Sequence, residues 1–249
     1  MSEEEMRADA KREVECHNSI SYPPKDGIDC PLCLNRGTIA VMDEDGENYH
    51  LEICKCKKDH EVVRNARNSG LGRYLGMTGD DFKTDLPFQK SMRKKAALFM
   101  QDHKGHWFAA LGTNGTGKTT LTVIMANKFL RNGKKVIYKS WPELARECDV
   151  DFYKDKGVFE EVQKCEILLI DDFLKSNTND RYMQIAYEIL NHRYNHELTT
   201  LISCEKTIQQ ITKLDPAIGS RISEMTCPGA YRINNTPETS KNQRIQGAR

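Results

Sequence analysis

The chain has 249 residues, 38% of them hydrophobic and 29% charged, with a formal net charge of +1. Such a composition excludes a disordered chain and leaves room for one sizeable core, or one domain with a smaller appendage. The near-neutral balance gives no global basic field for nucleic acid. Local stripes exist: residues 55–73 and 83–104 each carry six Lys/Arg against two acids, and the last nine residues carry Lys241, Arg244 and Arg249 with no acid. Stripes of this kind suit phosphate contacts, but are more often solvated faces.

In chain order, residues 1–28 form a polar N-terminal segment, frayed or helical, that closes on the turn-rich SYPPKDG. Its opening, MSEEEMRADAKREVE, lacks the apolar stretch of a secretory leader, and no run in the chain approaches the roughly 18 apolar residues of a membrane span. A cytoplasmic location is therefore expected. Residues 29–75 hold a cysteine cluster and a basic helical linker ending in GLGRYLG. From residue 76 to 249, β-rich runs at 107–112, 135–140, 167–171, 199–203 and 230–234 alternate with helical stretches. In 181–196, Tyr182, Ile185, Ala186, Ile189, Leu190 and Tyr194 repeat at helical spacing on one face. The alternation predicts an α/β domain with a largely parallel sheet between helices.

Four of the nine cysteines fall in the second segment, as CPLC (Cys30, Cys33) and CKC (Cys54, Cys56), while Cys16, Cys148, Cys165, Cys204 and Cys227 are scattered. In a reducing compartment the scattered five read as free thiols. The clustered pairs flank a stretch that reads as a hairpin turning near Asp43 to Asn48, so two thiolate pairs on its arms can close a tetrahedral structural Zn²⁺ site. The second pair is tighter than the common C-x-x-C. His50 and His60 are alternative donors for one ligand, and an unliganded thiol cluster is the bland alternative. A closed four-thiolate site would be structural, and metal binding would supply much of the module's folding free energy.

GTNGTGKT, Gly112 to Thr119, matches the phosphate-binding pattern G-x-x-x-x-G-K-[ST] between a strand and a helix. Here Gly112, Thr113, Asn114, Gly115, Thr116 and Gly117 would wrap phosphate oxygens with backbone N–H groups. The N-terminus of the following helix, with Thr120 in its first turn, adds partial positive charge. Lys118 would reach the β- and γ-phosphates and the Thr119 hydroxyl would ligate Mg²⁺. In EILLIDDFLK, the apolar run ends on Asp171 and Asp172. Two adjacent carboxylates need a nearby cation, which Mg²⁺ supplies. Asp171 is then its partner, usually through water, and Asp172 orients or deprotonates the attacking water. This describes an ATP-hydrolysing site. A small-molecule kinase is the weighed alternative, disfavoured because the cysteine cluster precedes the loop. His192 and His196, four apart on a helix, lack an acidic partner and read as surface or partly packed. Trp107 and Trp141 read as packing residues.

From MTGDDF to the C-terminus the chain resembles the DnaC/DnaI-type helicase loaders, a branch of the AAA+ ATPases that also includes IstB-type transposition helpers. The resemblance rests on GTNGTGKT, LLIDD, TLISCE and IGSRISEM. The upstream CPLC…CKC is similar to a zinc-bearing module of some loaders. The resemblance implies a five-stranded AAA+ core and a slow, partner-stimulated ATPase that loads a replicative, ring-shaped DNA helicase, contacts single-stranded DNA and self-associates. It assigns Arg221, in GSRIS, as an arginine reaching a neighbouring subunit's nucleotide, a contact worth roughly 10³–10⁵-fold in rate in well-studied NTPases. Arg244, in KNQR, is similar to a cis arginine that senses the γ-phosphate. The segment 140–164 resembles an insertion used near single-stranded DNA, to which Trp141, Phe152 and Tyr153 would lend a partial stacking surface. One departure stands out: Glu205 in SCE occupies a position where many relatives have Asn. Either it points elsewhere with Ser203 substituting, or hydrolysis is tuned down. The alternatives are an IstB-like transposition helper, and a nucleotide-gated adaptor for DNA or helicase that scarcely hydrolyses ATP.

Overall fold

The computed structural model describes residues 3–151, 157–175 and 179–240. The chain divides into two compact units, Met1–Asn65 and Ala66–Arg249.

In the first unit, helix α1 (Glu3–Ser19) precedes an antiparallel hairpin of β1 (Thr38–Met42) and β2 (Tyr49–Ile53). The hairpin turns where expected, with the Asp43 N–H bonded to the Asn48 carbonyl at 2.9 Å. Asn18, near the end of α1, both donates to and accepts from the Ala40 backbone at 2.9 Å, fixing the helix on the free edge of β1. Helix α2 (Cys56–Asn68) follows, and the division between the units falls within it. Apart from the four clustered cysteines, the buried apolar side chains of this unit are Ala10 and Ala40 among the described residues. That is too little apolar surface to offset the entropy of ordering such a unit.

The second unit is built differently. Strands β3 (Trp107–Gly112), β4 (Val136–Ser140), β5 (Ile167–Asp171), β6 (Thr199–Cys204) and β7 (Arg232–Asn235) form one parallel sheet in the order β4-β5-β6-β3-β7. Buried on both faces, the central strands are continuous apolar runs, as parallel strands are. On one face, Phe108, Ala110, Leu169 and Leu201 meet helices α3 (Pro87–Gln101) and α4 (Lys118–Arg131). On the other, Trp107, Ala109, Leu168 and Ile202 meet α5 (Trp141–Asp151), α6 (Gly157–Lys164), α7 (Asp180–Asn195), α8 (Ile208–Leu214) and α9 (Pro216–Met225). This is the α/β class with the five-stranded parallel sheet that the sequence predicts, preceded by the cysteine cluster.

Helix α7 buries Ile185, Ala186, Ile189 and Leu190, the face its periodicity marks, together with one residue the periodicity does not: Arg193. This arginine is fully buried, yet its guanidinium donates to Thr200 Oγ1 (2.8 Å) and to the carbonyls of Val162 (2.9 Å), Cys165 (2.9 Å) and Thr199 (2.6 Å). It ties the end of α6 to the starts of β5 and β6. A buried charge persists only with its donors satisfied in this way.

Candidate nucleotide and metal sites

The loop after β3 is shaped by backbone crowding. A Cβ on Gly112, whose φ is +97°, would lie 1.8 Å from the Asn235 carbonyl oxygen of β7. One on Gly117, at φ +87°, would lie 2.9 Å from the Phe82 ring. Neither position admits another residue without displacing its neighbour. At the first turn of α4, Lys118 is buried and donates to the Gly112 and Thr113 carbonyls, each at 2.8 Å. The loop therefore closes on its own lysine.

At the tip of β5, Asp171 is 6% exposed. Its Oδ1 accepts from Thr119 Oγ1 at 2.8 Å and from the Ser203 hydroxyl of β6, while Oδ2 accepts from the Tyr138 hydroxyl of β4 at 3.2 Å. Burial, reinforced by the Asp171 carboxylate, pushes the Tyr138 phenol well above its ordinary value. Asp172 turns sharply, at φ +53°, with its N–H on Ser203 Oγ at 3.1 Å. Its carboxylate faces Lys175 at 3.0 Å, and Lys175 reaches Glu205 Oε1 at the same distance. Burial opposes ionisation of Glu205, but Lys175, aided by Asn114 and Lys118, holds its carboxyl below the usual range. Glu205 and then Asp172 hold the Lys175 ammonium above its own ordinary value.

These groups line one cavity of about 660 Å³. Of the residues the sequence singles out, Asn114, Gly115, Gly117, Lys118, Thr119, Thr120, Asp171 and Asp172 face it; Gly112, Thr113 and Thr116 form the loop behind. Arg221 lies elsewhere, on α9. It donates to Asn191 Oδ1 at 2.6 Å and packs over the rings of Tyr187 and Tyr194 on α7. Arg244, like Phe152 and Tyr153, lies outside the described residues. Trp141 is buried against Phe173 and offers no stacking surface; Trp107 is buried likewise. His192 and His196 stack on each other, with ring centroids 4.1 Å apart.

Five cavity residues escape the sequence reading: Arg73, Tyr74, Tyr138, Ser140 and Lys175. Arg73 sits over the Tyr74 ring at 4.5 Å and reaches the Tyr138 hydroxyl at 3.5 Å. The basic stripe at 55–73 and the lysine three residues after the paired aspartates were the available signals. Glu205 does not point away: it faces the cavity, and its required cation is Lys175. The Thr119 hydroxyl beside the Asp171 carboxylate is an all-oxygen donor set suited to a hard cation such as Mg²⁺.

In the first unit the thiols of Cys30, Cys33, Cys54 and Cys56 are buried with all Sγ atoms within 4.8 Å of one another. Cys30 and Cys54 approach to 3.7 Å, Cys33 and Cys56 to 3.5 Å. An ion with metal–sulfur bonds of about 2.3 Å needs tetrahedron edges of about 3.8 Å, so the four thiols fit Zn²⁺. Burial would raise the Cys33 thiol, but the Gly37 N–H and the thiols of Cys56, Cys54 and Cys30 bring it down to about 7. His50 pairs with Asp43 at 2.6 Å and His60 lies 3.7 Å from Asp26, so neither belongs to the cluster.

A family model for IstB-like ATP binding proteins matches residues 56–219. The chain is 27% identical over 236 residues to the phage-like element PBSX protein XkdC of Bacillus subtilis (strain 168), spanning 89% of this chain and 88% of XkdC. It is 23% identical over 279 residues to YqaM of the same organism, an uncharacterized protein, spanning 89% and 87%. Among solved structures, the DnaC helicase loader matches at 20% identity and a TM-score of 0.55, covering 66% of this chain and 97% of the loader. AMPPCP-bound DnaA from Aquifex aeolicus matches at 20% identity and a TM-score of 0.53, covering 59% and 48%. The structural likenesses establish the fold, an AAA+-type P-loop core. The match to the family model, which spans most of the chain, goes further: the protein belongs to the IstB-like ATP binding protein family.

Proposed function

We propose that this protein is a Mg²⁺–ATP-dependent switch that assembles a partner protein on DNA, in the manner of the IstB-like transposition helpers. The observation that carries the ATPase part is the convergence of Lys118, Thr119, Asp171 and Asp172 on one cavity at the end of a buried parallel sheet. In this reading Lys118 exchanges the carbonyls of Gly112 and Thr113 for β- and γ-phosphate oxygens, and the loop N–H groups hold the rest of the polyphosphate. Mg²⁺, when bound, neutralises developing phosphate charge; Thr119 and Asp171 are the residues that would hold it. Asp172 orients the attacking water, and Arg221 acts on a neighbouring subunit's nucleotide. Family membership favours this reading over the helicase loader that the sequence first suggests.

Helicase loading stands as the second reading, on one specific observation. The cysteine unit exposes Leu32, Leu51 and Ile53 at 62%, 53% and 65%. Leu51 and Ile53 share one face of β2, and these residues offer a grip for a ring-shaped helicase. The single-stranded DNA contact and the cytoplasmic location belong to this second reading.

Light scattering on a sizing column, with zinc-loaded protein and ATP, separates the two. ATP-dependent assembly on duplex DNA, lost in Lys118→Ala, supports the helper. A discrete complex with the host's replicative helicase, lost in Cys54→Ser, supports the loader. If Lys118→Ala assembles like the wild type, the ATP switch is wrong. Turnover well below one per minute with every partner present would instead mark a nucleotide-gated adaptor.

A further inference from the structure

Lys175 has no assigned task, yet it stands inside the cavity that holds Lys118. Its ammonium has three donors. One faces Asp172 and another Glu205, both at 3.0 Å. The lysine is placed by a built turn. Asp172 and Leu174 both adopt positive φ, +53° and +56°, conformations that cost free energy in residues other than glycine. Between them Phe173 is buried, with its N–H bonded to the Ser203 carbonyl at 2.8 Å, and the Leu174 carbonyl accepts from Lys206 Nζ at 2.8 Å. The turn returns on itself through the Lys175 N–H and the Asp172 carbonyl at 3.0 Å.

Stability does not account for the arrangement. The side chains of Lys175, Asp172 and Glu205 are 40%, 36% and 35% exposed, and pairs so open to solvent contribute little to folding. Charge in the cavity does account for it. Asp171, Asp172 and Glu205 bring three carboxylates to a site meant for a polyanion. Asn114 of the phosphate loop and Lys118 line the same cavity as Glu205 and Lys175, so the partner cation of Glu205 shares its space with the phosphate loop.

We propose that Lys175 is the terminal-phosphate reader of this site, its ammonium held by Asp172 and Glu205 so that the remaining donor meets the γ-phosphate of a nucleoside triphosphate. This rests on the ATP-site reading above. Glu205 is then the holder of the reading cation and not itself a phosphate ligand.

The test is binding of ADP and of AMPPCP, with Mg²⁺, to the full chain and to Lys175→Gln, Lys175→Arg and Lys118→Ala. Loss of one charge-assisted bond predicts that Lys175→Gln binds AMPPCP about 10- to 30-fold more weakly and ADP less than about 3-fold more weakly. Lys175→Arg, which keeps the charge, should hold the AMPPCP/ADP ratio within about 3-fold of wild type. It supplies the readout if Lys175→Gln is unstable. Equal losses for both nucleotides in Lys175→Gln, no loss for either, or a collapsed ratio in a folded Lys175→Arg would overturn the proposal. Wild type that binds neither nucleotide would instead overturn the ATP-site reading. Lys118→Ala, expected to lose both nucleotides, sets the scale for a residue that serves every phosphate.

Discussion

The two units solve the problem of staying folded in opposite ways. The Ala66–Arg249 unit buries apolar side chains on both faces of a five-stranded sheet and can leave its cavity polar and charged. The Met1–Asn65 unit buries four thiols and two alanines among its described residues. In the first case function is carried on a scaffold that is stable without it; in the second the chemical site is the scaffold. The same kind of damage should therefore have unlike consequences in the two units.

Metal removal gives the largest contrast. Structural Zn²⁺ sites of this type contribute about 10–16 kcal/mol of apparent binding free energy. A chelator, or Cys54→Ser, should therefore unfold the first unit and leave the melting of the second unchanged. Far-UV circular dichroism and calorimetry would check this; a cysteine unit still folded without metal would break the comparison. Next in size, Arg193→Ala should cost the second unit about 3–5 kcal/mol, because it strips the carbonyls of Val162, Cys165 and Thr199 of a partner, at about 1–3 kcal/mol for each group left unsatisfied. Its denaturant midpoint should fall while the metal-bound unit is unaffected. Smaller again, nucleotide at about 100 times its dissociation constant should stabilise the second unit by about 2.7 kcal/mol. Lys118→Ala should abolish that gain, as a melting series with Mg²⁺–ATP read against the variant's own nucleotide-free melting would report. The smallest effect is a pH dependence. Glu205 titrates below its ordinary 4.5 in the folded state, so its ion pair contributes above 4.5 and the contribution is lost as pH falls through the folded value. Because the pair is partly exposed, the loss should be less than about 1 kcal/mol. Glu205→Gln should flatten that part of the acid limb, and an unchanged limb would mean the pair is silent.

The sequence made some of this visible for physical reasons. Glycines at 112 and 117 are demanded by local crowding, and the apolar run ending in Asp171 is a parallel strand buried on both faces. Both are short-range signals, and the five strands followed from the same logic. The four thiols were legible because metal ligation needs few residues at narrow spacing. Arg193 was not, since an arginine on an amphipathic helix reads as solvated until Thr200 and the carbonyls of Val162, Cys165 and Thr199 surround it. The partnership of Lys175 with Glu205 was also hidden. Glu205 looked like an acid without a cation, because its partner belongs to a different strand's turn and only the pairing of β5 with β6 brings the two together. Arg73 was hidden the same way, visible only as one member of a basic stripe until the fold set it in the cavity.

Strand β4 is one border of the parallel sheet, and such a border is an open template on which another chain can grow. Here the outward N–H of Tyr138 is already spent on the Ser69 carbonyl at 2.7 Å. Gly70, at φ +80°, lies so close that a Cβ there would stand 2.8 Å from the Tyr138 carbonyl oxygen. A residue with no side chain thus shields the border at its midpoint. Another chain therefore cannot add a strand to the sheet at that point.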